Sequence, residues 1–133
     1  MPGLTPVVRY LIVCDDVVAD PLNPRKINLL GLISTIWSQE FPPFPVIQRE
    51  FCVFVQLTEC RGRGLARVEV THADSGNAVT RTSARSITFG NDPLAVVGIV
   101  FRIRECLFSS AGLYVVRFWY NDVVLAEQPI LLR

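Results

Sequence analysis

Polar and apolar residues alternate at every second position along much of this chain, and turn-forming clusters separate the alternating runs. No long stretch repeats apolar residues at the spacing of an amphipathic helix face. Short alternating runs divided by turns at intervals of about 8 to 12 residues are typical of antiparallel sandwiches. The pattern therefore predicts an all-β fold, a two-sheet antiparallel β-sandwich of Greek-key type with eight to nine strands, formed by residues 1–133 as a single domain.

The first run, residues 7–14, is almost continuously apolar, which predicts a central strand covered on both faces. Asp15 and Asp16 follow this run and are expected to end the strand. A second long run covers residues 27–38, and Gly31 within it predicts a β-bulge or a close approach of another backbone segment. These two runs predict the first hairpin of the fold.

Later runs indicate which side chains point into the core, because alternate residues of a strand lie on opposite faces. One face of residues 51–58 carries Phe51, Val53, Val55 and Leu57, and the other carries Cys52, Phe54 and Gln56. In residues 96–104 the predicted inward set is Val97, Ile99, Phe101 and Ile103. Asp74-Ser75-Gly76 predicts a turn with a left-handed glycine, and Asn121-Asp122 predicts a two-residue hairpin loop.

Residues 41–45 contain three prolines and cannot join a strand ladder, so they predict a crossover loop between the sheets. We expect this loop to hold Phe41 and Phe44 away from the core, and we expect Phe54 and Trp119 to face outward on their strands. A mean hydropathy of +0.37 with only 19% charged residues also requires apolar side chains at some outward positions. Together these features predict an apolar patch that a second copy of the chain covers.

Half of the residues are apolar, which excludes a disordered chain, and the net charge of +1 gives no general attraction to nucleic acid or to a membrane. Since the apolar run at the start of the chain is too short for a signal peptide or a membrane helix, we expect a cytoplasmic protein. In that reducing compartment the cysteines are expected to be buried, small apolar residues: Cys14, Cys52, Cys60 and Cys106. Twelve of the 13 basic residues are arginine, which suggests a GC-rich bacterial genome.

Several segments resemble a bacterial family of small β-sandwich proteins that is a domain of unknown function: YLIVCDD at 10–16, INLLGLI at 27–33, FP at 41–42, GLYVVRF at 112–118 and QPILL at 128–132. The likeness extends over nearly the whole chain, and its final hairpin also resembles the closing strands of immunoglobulin-like domains. The resemblance implies a β-sandwich of immunoglobulin-like or related type. It assigns no catalytic, cofactor-binding or metal-binding residue.

Candidate chemistry begins at His72, the only histidine. Asp74 and Ser75 lie on the same turn, whereas a Ser-His-Asp triad usually assembles from distant segments. A histidine at a strand end is therefore favoured over a hydrolase site, and no enzyme activity is expected.

A calcium site is a second possibility, because loop oxygens are the ligands that calcium prefers. The candidate ligands are Asp15, Asp16, Asp20, Asn23 and Asp92. Their spacing matches no calcium-binding loop, and turn residues of this kind commonly cap their own backbone. With one histidine and no paired cysteines, zinc is also disfavoured, so we expect no metal and no cofactor.

Residues 60–90 carry a local positive charge, from five arginines against Glu69 and Asp74. The arginines are Arg61, Arg63, Arg67, Arg81 and Arg85. No aromatic residues alternate with them as a base-stacking surface requires, so a solvated sheet face is favoured over nucleic-acid binding. The same arginines could meet residues 1–59 of a second copy, which hold four basic and six acidic residues.

These patterns favour a non-catalytic protein-interaction or self-assembling module, with a homo-oligomer or a larger protein assembly as its partner. The interaction candidates are Phe41, Phe44, Phe54, Trp119, Arg61 and Arg63. The alternative is a small-ligand or carbohydrate-binding β-sandwich that uses loops around Trp37 or Trp119.

Overall fold

The computed structural model describes residues 5–92 and 94–133. These residues form ten β-strands and no helix. The strands are β1 (Val7–Ala19), β2 (Ile27–Leu32), β3 (Thr35–Ile36), β4 (Val46–Thr58), β5 (Arg63–His72), β6 (Ala78–Arg81), β7 (Arg85–Thr88), β8 (Val97–Phe108), β9 (Gly112–Tyr120) and β10 (Val123–Leu132).

The strands form two sheets that pack face to face. The first sheet has the order β2-β1-β4-β8, and the second has the order β3-β10-β9-β5-β6, with β7 also paired to β5. Among the described strands every pairing is antiparallel except that of β3 with β10. The predicted all-β, two-sheet sandwich is therefore confirmed. It has ten strands because residues 27–38 divide between the sheets, with β2 in the first and β3 in the second.

Strand β1 is central in its sheet, as its continuous apolar run predicts, but it does not end at Asp15 and Asp16. Asp15 continues the strand because Gly31 lies opposite, with a φ of +65° and no side chain. A Cβ at Gly31 would overlap the Asp15 carboxylate, so the group that approaches this glycine closely is a side chain rather than the backbone segment predicted. Asp16 stays in the strand because its carboxylate accepts a hydrogen bond of 2.8 Å from Arg102 on β8.

The main core lies between the sheets, and both predicted inward sets belong to it. Phe51, Val53, Val55 and Leu57 of β4 are all fully buried. From β8, Ile99, Phe101 and Ile103 are buried, and Val97 packs against the same cluster. Burying each large apolar side chain contributes about 1.5–3 kcal/mol, so this layer supplies most of the stabilisation of the sandwich.

Both predicted turns are also confirmed. Asn121 and Asp122 have φ values of 47° and 65°, the left-handed pair that a two-residue hairpin loop between β9 and β10 requires. Gly76 has a φ of 73°, and its N–H donates a 2.8 Å hydrogen bond to the carbonyl of His72. The first turn joins β9 to β10, and the second joins β5 to β6.

Candidate functional site

Phe54 points to the outer face of the first sheet, as its alternation predicts, but it is not exposed. It is 4% accessible and packs with Cys14, Val17 and Cys52 in a second apolar cluster on that outer face. Its ring also lies against Gly98 of β8, where a Cβ would come within 3.0 Å. Phe54 is therefore not part of an exposed apolar patch.

The two phenylalanines of the proline-rich loop have different surroundings. Phe41 is 98% exposed, as expected. Phe44 is partly buried and packs against the main core, so the expectation that the prolines keep it out of the core is wrong. The hydroxyl of Ser38 donates a hydrogen bond to the Pro43 carbonyl and ties this loop to the segment that leaves β3.

Trp119 is half-buried on the outer face of the second sheet, beneath an arginine. The Arg67 guanidinium lies 4.2 Å from the centre of the indole ring, a cation–π contact, and the indole Nε1 is buried with no hydrogen-bond partner among the described residues. Trp37, the other tryptophan, is 63% exposed. Of the two, Trp37 is thus the one whose ring is available to a ligand.

Three of the five arginines in residues 60–90 are engaged within the chain. Arg81 forms a 2.9 Å ion pair with Glu69, and the Arg67 guanidinium lies 3.7 Å from the same carboxylate. Arg85 lies over the ring of Phe101, 4.9 Å from its centre. Arg61 and Arg63 are exposed, whereas the other three arginines make these contacts within the chain.

His72 lies at the end of β5 and lines a pocket of about 440 Å³ together with Ser75, Ser109, Ser110 and Tyr114. Its Nδ1 accepts a 3.4 Å hydrogen bond from the backbone N–H of Ser75, and its ring meets that of Tyr114 edge-on at 4.8 Å. Among the described residues, no serine hydroxyl or carboxylate is hydrogen-bonded to His72. The contacts are those of a strand-end histidine rather than of a nucleophile and its base.

The acidic turn residues use their side chains on neighbouring backbone. Asp20 accepts hydrogen bonds from the backbone N–H groups of Leu22 and Asn23, and the Asp92 carboxylate accepts one from Leu94. Hydrogen bonds to Arg102 and to the Val17 N–H lower the pKa of Asp16. Across residues 5–92 and 94–133, no three His, Cys, Asp or Glu side chains lie close enough together to hold a metal ion.

All four cysteines are buried, as predicted, and none of the four forms a disulfide. Cys14 and Cys52 lie directly opposite each other on β1 and β4. Burial raises the pKa of the Cys14 thiol to about 11, with a smaller contribution from Cys52, and burial alone raises that of Cys106 to about 11. These thiols are therefore protonated and inaccessible at neutral pH.

Native protein is expected not to react with an aromatic disulfide such as Ellman's reagent, because that reaction needs an accessible thiolate. All four thiols should react once denaturant unfolds the chain. The absorbance of the released thiol, followed with and without denaturant, measures both states. Rapid labelling of one cysteine in the native protein would contradict the buried, protonated state of the thiols.

The free edge of β2 is a surface that sequence analysis missed. The strand reads INLLGL, with no charged residue, and five of its six residues are exposed. Leu30 is 47% and Leu32 is 70% accessible. The lack of charged residues in this strand can be read from the sequence, but only the strand order shows that β2 lies at an edge of its sheet.

Other edge strands of the described sheets have features that discourage pairing with another chain. β8 carries Arg102 and Arg104 and has a left-handed residue at Glu105, with a φ of 53°. β6 and β7 are four residues long and include Arg81 and Arg85, and β3 has two residues. Among the described edge strands longer than two residues, β2 is thus the one without a charge.

The model of a family of unknown function, DUF6941, matches residues 9–133. The chain belongs to this family. Membership confirms the resemblance to a family of small, β-rich proteins of unknown function. No curated protein matches this DUF6941 chain. Within the described residues of the chain, no helix is long and apolar enough to cross a membrane.

Solved structures with a similar fold come from larger proteins. An alkylpurine DNA glycosylase from Pseudomonas fluorescens, bound to DNA containing an abasic site analog, matches 96% of the DUF6941 chain with a TM-score of 0.56 and 14% identity. A β-glucosidase from Listeria innocua matches 75% of the chain with a TM-score of 0.50 and 9% identity. The DUF6941 chain spans 30% and 14% of these two proteins. At such low identity the likeness shows the fold alone.

Proposed function

We propose that the protein is a non-catalytic interaction module that self-associates by pairing the free edge of β2 with β2 of a second copy. The observation that carries this proposal is the exposed and uncharged edge strand. An edge strand presents unpaired backbone N–H and C=O groups, which a strand from another chain can satisfy. Antiparallel pairing would join the two four-stranded sheets into one continuous sheet.

Backbone pairing is supported by the length of β2 and by its residue types. β2 has six residues without proline, so both chains can contribute N–H donors along its length. Each hydrogen bond formed between the chains contributes about 0.5–1.5 kcal/mol. Covering Leu30 and Leu32 adds about 25 cal/mol for each Å² of apolar surface removed from water. Several hydrogen bonds and the two leucines on each side would together stabilise the contact between the two copies.

Charge placement supports the antiparallel direction. Lys26 directly precedes β2, and the Asp15 carboxylate lies over Gly31 near its other end. Pairing about the centre of the strand sets Gly31 of one copy opposite Asn28 of the other. Lys26 then lies diagonally across from the partner's Gly31, over which the partner's Asp15 carboxylate lies. Diagonal positions across two strands are about 7–8 Å apart, which a lysine side chain spans. Opposite charges then meet at both ends of the contact, by symmetry.

The roles of the remaining interaction candidates stay predictions, and so do the cellular location, origin and structural relationship of the protein. Phe41, Arg61 and Arg63 are exposed and lie outside the β2 edge. A cytoplasmic location, a bacterial origin and an immunoglobulin-like relationship are likewise part of this proposal, supported by the sequence patterns. The absence of catalysis is supported by the contacts of His72, which lack a hydrogen-bonded nucleophile among the described residues.

Sedimentation of the unmodified protein at micromolar concentrations is expected to show a dimer, and amide exchange should locate its interface. Protection of residues 27–32 should increase with protein concentration, because pairing satisfies their free backbone groups. Amides of β8, the opposite edge of the same sheet, serve as the internal control and should not change. A monomer throughout, or protection that increases at β8 rather than β2, would disprove the proposed mode of association.

A further inference from the structure

Trp37 is an exposed aromatic side chain on a firmly held backbone. It follows β3, and the backbone on both sides of it is hydrogen-bonded to Arg133. The Ser38 N–H donates to the Arg133 carbonyl at 2.7 Å, and the Arg133 N–H donates to the Ile36 carbonyl at 3.0 Å. The large exposed ring is therefore held in place rather than carried on a free loop.

Two adjoining pockets flank this ring, with volumes of about 490 and 410 Å³. Both are lined by Ile36, Trp37, Gln39 and Gln48, so the indole lies where they meet. Gln48 reaches the site from the start of β4, while Trp37 and Gln39 come from the segment after β3. The site thus combines an aromatic surface with two amide side chains from separate segments.

Polar side chains of both charge signs complete the pockets. The first pocket adds Glu40, Arg49 and Glu105, and the second adds Asp15 and Thr35. Carboxylates on either side disfavour an anionic ligand, and Arg49 disfavours a cation. Arg133 lies over one side of the indole, 5.7 Å from the ring centre, which leaves the opposite face for a ligand. This mixture fits a neutral ligand that both donates and accepts hydrogen bonds.

We propose that Trp37 and the two pockets beside it form a binding site for a neutral oligosaccharide. The apolar face of a sugar ring would stack on the indole, which combines a large apolar surface with a polar N–H. Side-chain amides such as those of Gln39 and Gln48 match neighbouring hydroxyl groups, since each amide offers donors and an acceptor. With a pocket on each side of the indole, a ligand longer than one sugar unit would contact both. This binding function does not require the self-association proposed above, although the second pocket borders the β2 edge at Gly31, Leu32 and Asp15.

Titration with three neutral oligosaccharides, cellohexaose, maltohexaose and hexa-N-acetylchitohexaose, tests the site. Trp119→Phe leaves Trp37 as the sole tryptophan, so a saturable change in its fluorescence reports binding at that ring. In the unmodified protein, calorimetry should detect the same ligand, and Trp37→Ala should weaken binding by about tenfold or more, equal to about 1.4 kcal/mol. Gln48→Ala should weaken it as well.

The matched control is Gln56→Ala, because Gln56 is a half-buried glutamine on the same strand outside both pockets. It should leave binding unchanged. Thermal unfolding of each variant verifies that the fold is intact. Absence of binding by all three oligosaccharides at millimolar concentration overturns the proposal. Binding that survives Trp37→Ala also overturns the proposal. Tighter binding of an anionic hexauronate, or of adenosine, than of the neutral oligosaccharides would overturn it as well.

Discussion

Lysine substitution of both exposed leucines on β2, Leu30→Lys with Leu32→Lys, is expected to convert the self-associated protein into monomers that remain folded. Each lysine would have to lose water beside a partner strand, and the two-fold contact would bring four new positive charges together. The same side chains are 47% and 70% exposed in the single chain. Their replacement should therefore change the free energy of unfolding by only about 0.5 kcal/mol or less.

Sedimentation equilibrium measures this effect as a change in the dimer dissociation constant, which we expect to rise by about a hundredfold or more, or about 2.7 kcal/mol. The matched control is Leu107→Lys, because Leu107 is 49% exposed and lies on β8, at the other edge of the same sheet. A second comparison, Phe41→Lys, tests the proline-rich loop. If either single variant dissociates the protein as strongly as the β2 variant, the interface lies elsewhere.

The facing of side chains could be predicted from the sequence because it depends on local periodicity. Alternate residues of a strand must point to opposite sides, so Phe51 and Phe101 could be assigned to the core without knowledge of any strand partner. The loop at Asn121 and Asp122 was equally predictable, since these residue types tolerate the positive φ that a two-residue hairpin needs.

Strand partners and their order could not be predicted in this way, because they depend on contacts between distant segments. Asp15 and Asp16 were expected to end β1, yet Gly31 and Arg102 from other strands allow both to continue it. Phe54 was correctly placed on the outer face but wrongly expected to be exposed, since its cover comes from neighbouring strands and Gly98. The edge position of β2 likewise follows only from the order of strands in the sheet.

The residues of the candidate site could not be predicted either, because their exposure also depends on contacts between distant segments. The expected apolar patch relied on Phe44 and Phe54, and both side chains pack within the chain. The exposed leucines of the proposed contact are instead Leu30 and Leu32 of β2, a strand that lies close to Asp15 in space and to Lys26 in sequence. Apolar side chains outside the main core therefore lie at two places in the first sheet, in the cluster on its outer face and on the strand at its free edge.

The outer cluster leads to a prediction about two phenylalanines on one strand. Phe51 and Phe54 both belong to β4 but point to opposite faces, one into the main core and one into the cluster with Cys14, Val17 and Cys52. Phe51→Ala is expected to cost about 3–5 kcal/mol of the free energy of unfolding, because it leaves a closed cavity between the sheets. Phe54→Ala should cost less, about 1–3 kcal/mol, since one side of that cluster borders solvent.

Urea unfolding measures both losses, and the comparison requires a monomeric background, because self-association adds a concentration-dependent contribution to stability. Both substitutions should therefore be made in the protein that already carries Leu30→Lys and Leu32→Lys. Equal losses for Phe51→Ala and Phe54→Ala in that background would mean that the outer cluster is as closely packed as the main core. If instead Phe54→Ala weakens the dimer of the unmodified protein while leaving the monomer unaffected, the second copy covers the sheet face rather than its edge.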